Sequence, residues 1–405
     1  MSSDIRQAFV HARHPDGNTD LVGLYRLVVG RSGRTHGEFE YVGSWLRNAH
    51  GRAFPLDPEN LPLASEVFRS EKRGLLPGAL ADATPDRWGR RVLESTVPAD
   101  ELPLKSPALL LATNDTRVGC LAFSHDTRLE ASAAGYAAEE DLQSIADAFE
   151  RLDRGEPQGG LASKIWTAGL SLGGARPKAT IIHEGQLWIA KFQRRDDLFD
   201  QCAIEHAAMR LAGECGIGVA KTRIVDVGPS KAVLVKRFDR SGLIPSCHYL
   251  SAMSALGLDE SSDAGSYSEI AHFLARHAAD QARDRRELFR RMLFNVLCGN
   301  RDDHLKNHAL LRDGGATWRL SPAFDIVPQP DFEAVQAIGV GKLGSLPTIA
   351  NCLSNAGDFD VGADEAKSIV DRMIETLRPW RRKFAEWGVP DTSIARMQSA
   401  FSAQI

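Results

Sequence analysis

The sequence predicts an α+β protein in three parts: a small mixed unit, a β-rich lobe and a helical lobe. Three observations carry this. Short apolar runs parted by turn residues crowd the stretch 179–235, helical periodicity dominates from 270 onward, and the first 105 residues mix strand and helix signals. With 405 residues the chain is long enough for two or three domains with real cores. The expected units are 1–105, 106–239 and 240–405.

In the first unit, residues 21–30 (LVGLYRLVVG) read as a strand that ends in a turn-like cluster, and 38–42 alternate as a second strand. Residues 86–95 read as a helix behind Pro85, with Asp86 placing negative charge at its N-terminus. An amphipathic helix follows over 139–152, with Leu142, Ile145, Phe149 and Leu152 on one face, and the run 153–160 breaks it. In the β-rich lobe, strands at 179–183 and 187–192 flank the turn Glu184-Gly185-Gln186. A helix at 202–212 comes next, then strands at 223–227 and 232–235 about Gly228-Pro229-Ser230. In the last unit, helix 285–298 aligns Leu288, Met292, Leu293, Val296 and Leu297. Another helix spans 365–377, Pro379 stops it, and shorter helices follow at 380–387 and 392–401.

Composition narrows the class. Hydrophobic residues make up 43% and charged residues 25%, which argues against disorder. A net charge of −4 gives no general attraction to phosphate backbones, so DNA binding by this chain alone is not expected. Six cysteines include no C-x-x-C pair and are too sparse for a disulfide scaffold. The first residues lack an apolar signal core, and no run reaches the roughly 18 apolar residues a membrane helix needs. A cytoplasmic protein with no membrane association is expected.

The chemistry concentrates in a few places. Asp302 precedes Asn307 by five positions, just after the helical pattern breaks at Gly299. A D-x-x-x-x-N loop suits phosphoryl transfer, with the Asp taking the substrate hydroxyl proton and the Asn ligating magnesium. Asp325 lies 18 residues further on, in Leu320-Ser321-Pro322-Ala323-Phe324-Asp325, where a second magnesium carboxylate is needed. Upstream, Lys191 ends a strand and Glu205 sits on the next helix, as a phosphate-binding lysine and its holder would. The segment Ser171-Leu172-Gly173-Gly174-Ala175-Arg176-Pro177-Lys178 joins glycines, which let backbone N–H groups approach phosphates, to two cations. Val235-Lys236-Arg237-Phe238-Asp239-Arg240 stands between the lobes, where a connecting segment meets adenine. Each feature alone is equally a turn, a cap or a solvated charge. Their order along the chain is the order a kinase requires. His304 and His308 are spaced for zinc on a helix, but no third ligand is evident, and His304 is read as a brace for the catalytic loop.

The run Asn295-Val296-Leu297-Cys298-Gly299-Asn300-Arg301-Asp302-Asp303-His304-Leu305-Lys306-Asn307-His308 closely resembles the catalytic core of HipA-family serine/threonine kinases. So do the segments at 320–325 and 235–240, while 171–178 resembles that family's Gly-rich loop. Phe39-Glu40-Tyr41 and Asp82-Ala83-Thr84-Pro85-Asp86-Arg87-Trp88-Gly89 resemble its N-terminal subdomain. The resemblance implies a two-lobed protein-kinase-like α+β fold with an added N-terminal α+β subdomain, acting as the toxin of a toxin–antitoxin pair. It implies ATP and Mg²⁺ as cofactors, Asp302 and His304 in the catalytic loop, and Asn307 and Asp325 on the metal. Nucleotide contacts would come from Ser171, Gly173, Gly174, Ala175, Lys178, Lys191, Glu205, Lys236, Phe238, Asp239, Lys306 and Phe324, with Ser171 autophosphorylated. The implied partners are a HipB-like helix-turn-helix antitoxin, operator DNA reached through that antitoxin, and an aminoacyl-tRNA synthetase as substrate, glutamyl-tRNA synthetase by analogy. Arg176-Pro177 and Phe324 depart from the family's best-known member. A non-catalytic kinase-like scaffold that binds an antitoxin as co-repressor, or a small-molecule kinase, are the competing readings.

Overall fold

The computed structural model describes residues 6–48, 50–72, 74–95, 105–112, 115–130, 136–155, 176–259, 265–314, 317–330 and 335–401. Strands β1 (Gln7–Arg13), β2 (Thr19–Val29), β3 (Thr35–Tyr41) and β4 (Val67–Ser70) form an antiparallel meander. The sheet is completed by β5 (Leu121–Ser124), which pairs with β1 and gives the order β4-β3-β2-β1-β5. The boundary expected at 105/106 therefore falls inside this unit. The reason is a long-range pairing: β5 supplies the apolar residues Leu121 and Phe123 that cover one side of β1, and His11 Nε2 meets Ser124 Oγ at 2.7 Å.

The second sheet runs β6-β7-β8-β10-β9, built from β6 (Ala137–Ala138), β7 (Lys178–His183), β8 (Gln186–Phe192), β9 (Thr222–Val227) and β10 (Ser230–Lys236). The turn between β7 and β8 is two residues, not three, since Gln186 already pairs with His183. Glu184 and Gly185 both have positive φ (49° and 68°), the geometry whose twist suits a tight hairpin. Helices α1 (Arg87–Glu94) and α2 (Leu142–Asp153) pack on one face of this sheet. Trp88, Phe149 and Phe192 meet edge-on, with centroids 5.2 and 5.4 Å apart. So α1, expected in the first unit, belongs by its core to the second. Helix α3 (Gln201–Glu214) lies against the same lobe and is capped by Asp200, which accepts from Ala203 N at 2.9 Å.

Past β10 a small hairpin of β11 (Arg240–Ser241) and β12 (Ile244–Pro245) leads to β13 (His248–Ser251). The last joins β14 (Ala309–Arg312) and β15 (Arg319–Leu320) in a three-stranded sheet. Helices α4 (Tyr267–His277), α5 (Gln281–Cys298) and α6 (Ala363–Leu377) dominate the rest. Leu288, Phe289, Met292, Leu293, Phe294 and Leu297 on α5 are fully buried, each contributing roughly 1.5–3 kcal/mol. That anchors the loop which follows α5. No helix of the described residues is long and apolar enough to cross a membrane.

The end of α5 is fixed by Gly299, whose φ of 73° is left-handed. A Cβ there would stand 2.1 Å from the carbonyl oxygen of Ala400, so the C-terminal segment must also move. Gly299→Ala is expected to destabilise the fold by more than about 2 kcal/mol, the left-handed cost of ~1–2 kcal/mol plus the clash. A urea titration followed by circular dichroism measures this, and an unchanged midpoint would contradict it.

Candidate active site

The site lies where β7, β8, α3 and the loops after α5 and β15 converge. Register sets Lys178 on β7 directly opposite Lys191 on β8. Two like charges facing each other across a sheet are unfavourable unless something anionic joins them. The chain supplies part of that anion. Lys191 Nζ donates to Glu205 Oε1 and to Asp325 Oδ1, each at 2.6 Å. Glu205 is nearly buried on α3, while the Asp325 side chain is 38% exposed. Burial pushes Asp325 up, but Lys191 and Lys178 outweigh it and hold the carboxyl at about 2. Burial raises Glu205 above the usual carboxylate range despite Lys191. Burial also works against the Lys191 ammonium, and the two carboxylates more than reverse this. Asp325 reaches Lys191 from a backbone in the left-handed region (φ 60°), which is uncommon outside glycine.

The loop after α5 is held by an internal chain of hydrogen bonds. Asp303 is 2% exposed, accepts from His308 Nε2 at 2.9 Å, and also accepts the Tyr267 hydroxyl proton. Asn295 Nδ2 donates to Tyr267 Oη at 3.0 Å and Asn300 Nδ2 to Asn295 Oδ1 at 3.2 Å. Burial pushes Asp303 up, but His308 and these hydrogen bonds outweigh it and keep the carboxyl low. This chain of bonds braces the loop. The His304 Nδ1 is buried and has no hydrogen-bond partner among the described residues, and its ring acts on Asp302, Asp303 and Asp325 through charge. The His304 main-chain oxygen accepts from Asn307 N at 2.8 Å, shaping the turn at 305–307.

With Asp303 locked inward, its neighbour Asp302 points out and is exposed. Burial of part of that carboxyl raises its pKa, His304 opposes the rise, and the Asp325 and Asp303 charges add to it. A carboxylate with a raised pKa is a better proton acceptor. Asn307 is buried, and its Nδ2 donates to the Asp302 main-chain oxygen at 3.4 Å, which turns Oδ1 the other way.

Asp86, read from sequence only as a helix-dipole charge, has a second role. Its Oδ1 caps α1 by accepting from Gly89 N at 2.6 Å, and its Oδ2 meets Lys178 Nζ at 3.3 Å. Burial pushes it up to about 6 against the pull of Lys178, and the Lys306 charge acts on it too. The signal was present in sequence as Asp86-Arg87-Trp88, but its contact is 92 residues away. The folded chain holds this proton more tightly than the unfolded chain. Stability therefore falls as pH rises from about 4 to above 6, by up to roughly 3 kcal/mol for a rise from 3.8 to about 6. Asp86→Asn keeps a capping side chain and cannot titrate. The stability difference between wild type and Asp86→Asn should thus vary over that window in urea melts, and a flat difference would contradict the assignment.

Two expected contacts are placed differently. Asp239 is buried, with Arg237 Nε and Nη2 donating at 2.9 and 2.6 Å and Gly119 N at 2.8 Å. Arg237 donates in turn to the Arg117 carbonyl at 2.7 Å and to that of Thr116. Asp239 thus ties the interlobe segment to residues 116–119 rather than standing open to a ribose, because a carboxylate buried this deeply needs a paired cation. Arg176 is bound to Asp197 by two bonds of 2.9 and 2.6 Å rather than left for a phosphate. Phe238 and Phe324, both half-buried, approach with centroids 5.5 Å apart, and Lys236 ends β10 nearby. Lys306 lies within electrostatic reach of Asp82 and Asp86. Ser171, Gly173, Gly174 and Ala175 lie outside the described residues.

The family described as the HipA-like C-terminal domain matches residues 170–380, just over half of the chain. The chain belongs to the HipA family. A Haemophilus influenzae protein named "Putative kinase" is 26% identical over 188 residues, 40% of this chain and 55% of its own length. The serine/threonine-protein kinase toxin HipA of Shewanella oneidensis is 27% identical over 205 residues, 42% of this chain and 46% of its own. The chain thus spans about half the length of the curated relatives it matches. A solved Shewanella oneidensis complex of HipA, HipB and operator DNA contains a chain that superposes with a TM-score of 0.70. That match is 20% identical and covers 96% of this chain and 94% of the other, which shows a shared HipA fold.

Proposed function

We propose that this chain is an ATP- and magnesium-dependent serine/threonine protein kinase that acts as the toxin of a HipA/HipB-type pair. The observation that carries the reading is the single ammonium of Lys191 gripped by both Glu205 and Asp325, with Lys178 facing it across the sheet. A lysine so fixed can meet phosphate oxygens without first being ordered, and preorganised charge is what phosphoryl transfer needs from the protein. Asn307 Oδ1 and the open edge of Asp325 are hard oxygen donors that fit Mg²⁺ beside phosphate. ATP and the ion supply the transferable phosphoryl group and neutralise its charge. Asp302, exposed and of raised basicity, orients a substrate hydroxyl and takes its proton, while Asp303, His308 and Tyr267 keep the loop from shifting. Lys236, Phe238 and Phe324 line the nucleotide's base.

The family supports a protein substrate of the aminoacyl-tRNA synthetase class, a HipB-like antitoxin, contact with operator DNA through that partner, and autophosphorylation of Ser171. Induced expression should arrest growth, and Asp325→Asn should relieve the arrest at equal protein level. Phosphoproteomics of arrested cells names the substrate. Equal arrest by wild type and Asp325→Asn would sink the toxin-kinase reading.

A further inference from the structure

Away from this site, a cavity of about 100 Å³ lies between the first unit and the helical lobe. Arg13 and Arg52 reach it from the first unit, and His248 and Arg312 from the sheet of β13 and β14. Arg312 is 9% exposed, and among the described residues it has no hydrogen-bond acceptor and no ion-pair partner. Its guanidinium lies over the Phe54 ring, 4.5 Å from the centroid, and its Nε is buried and unmet. A buried cation left without an anion is costly, and a ring face offsets only part of that. Burial shifts Arg312 below its usual value, and the charge of Asp313, whose carboxylate is bound to Arg319 at 3.0 Å, does not outweigh it.

The other charges facing the cavity do not remove that cost. Arg13 is paired with Asp115 at 2.7 Å, and Arg52 lies 3.5 Å from Asp16 and 3.8 Å from Asp20. Those carboxylates serve the outer arginines and not Arg312. The thiols of Cys120 and Cys247 there are neutral, burial pushing each up to about 12. His248 is neutral as well, burial pushing it down to about 4. Its Nε2 donates to the Leu56 carbonyl at 2.8 Å, which leaves Nδ1 an acceptor with no donor among the described residues.

We propose that this cavity binds a small protonated oxyanion, a phosphate ion or the phosphoryl end of a small phosphomonoester. The volume is large enough for one such group in place of water. Its charged oxygens accept from Arg312, assisted by Arg13 and Arg52, and its remaining hydroxyl donates to His248 Nδ1. Arg312 ends the strand that begins two residues after Asn307, so an anion here ties the first unit to the strand leaving the catalytic loop.

The test is a melting curve and a calorimetric titration of the full chain with inorganic phosphate, with glycerol phosphate, and with chloride at matched ionic strength. Phosphate should raise Tm saturably where chloride does not. Tighter binding of glycerol phosphate would identify a monoester as the source, and tighter inorganic phosphate the free ion. Arg312→Met keeps the packing over Phe54 and should weaken binding roughly tenfold or more. Without ligand it should melt no lower than wild type, because the unpaired charge is gone. Arg52→Met, at a partly exposed position, should weaken binding while folding normally. The proposal is overturned by no phosphate-specific shift, or by a shift of equal size in both variants. The kinase reading does not depend on the result, since neither arginine belongs to that site.

Discussion

Replacing Lys191 by Met is expected to lower the stability of the fold by about 3 kcal/mol and to reduce phosphoryl transfer at least ~100-fold. The stability loss comes from what the lysine leaves behind. Glu205 and Asp325 both lie 2.6 Å from its ammonium, and without it two carboxylates share one pocket. One of them must take up a proton or draw in water. The figure is set at the low end for a broken buried pair because Asp325 is 38% exposed and partly screened. Adding Glu205→Gln should restore part of the stability, since one of the stranded charges disappears. It should restore none of the turnover, because the cation that meets phosphate is still missing. Urea melts and steady-state kinetics on the two variants measure both effects. Recovery of turnover in the double variant would mean that Lys191 serves the fold alone.

Asp302→Asn should act in the opposite manner. The residue is exposed, so the substitution should change stability by less than about 0.5 kcal/mol. Turnover should fall by roughly 10²–10⁴ as the proton acceptor is lost. Nucleotide affinity should persist, since Lys178 and Lys191 are untouched. Asp303→Asn, one residue on, should instead destabilise, because Asp303 accepts from both His308 and Tyr267 inside the fold. Parallel kinetics and melts separate these two adjacent aspartates. A stability loss for Asp302→Asn equal to that of Asp303→Asn would show that their roles are not divided as described.

Local signals made much of this legible in sequence. Turn residues and alternation located β7 to β10, the 3.6-residue period located α5, and the spacing of Asp302, Asn307 and Asp325 marked the residues on which the proposed chemistry rests. The rest was hidden because it depends on distant pairing. Nothing near residue 121 announces that β5 completes a sheet begun at residue 7. The contact from Asp86 to Lys178 spans 92 positions and requires α1 to lie on the second sheet. The division of labour between Asp302 and Asp303 was hidden for another reason. Both are aspartates in one turn, and only the inward position of Tyr267 and His308 decides which is buried. Asp239 was misjudged likewise, since its partner Arg237 is two residues away but the pair's burial depends on residues 116–119.

Transfer of label from γ-labelled ATP, with Mg²⁺ or with a chelator, is the decisive measurement of kinase activity. Incorporation into serine or threonine is expected from the wild-type chain with Mg²⁺, none with the chelator, and none detectable with Asp302→Asn despite retained nucleotide binding. Equal incorporation by wild type and Asp302→Asn, or no binding of ATP by a folded wild-type chain with Mg²⁺, would contradict the kinase reading.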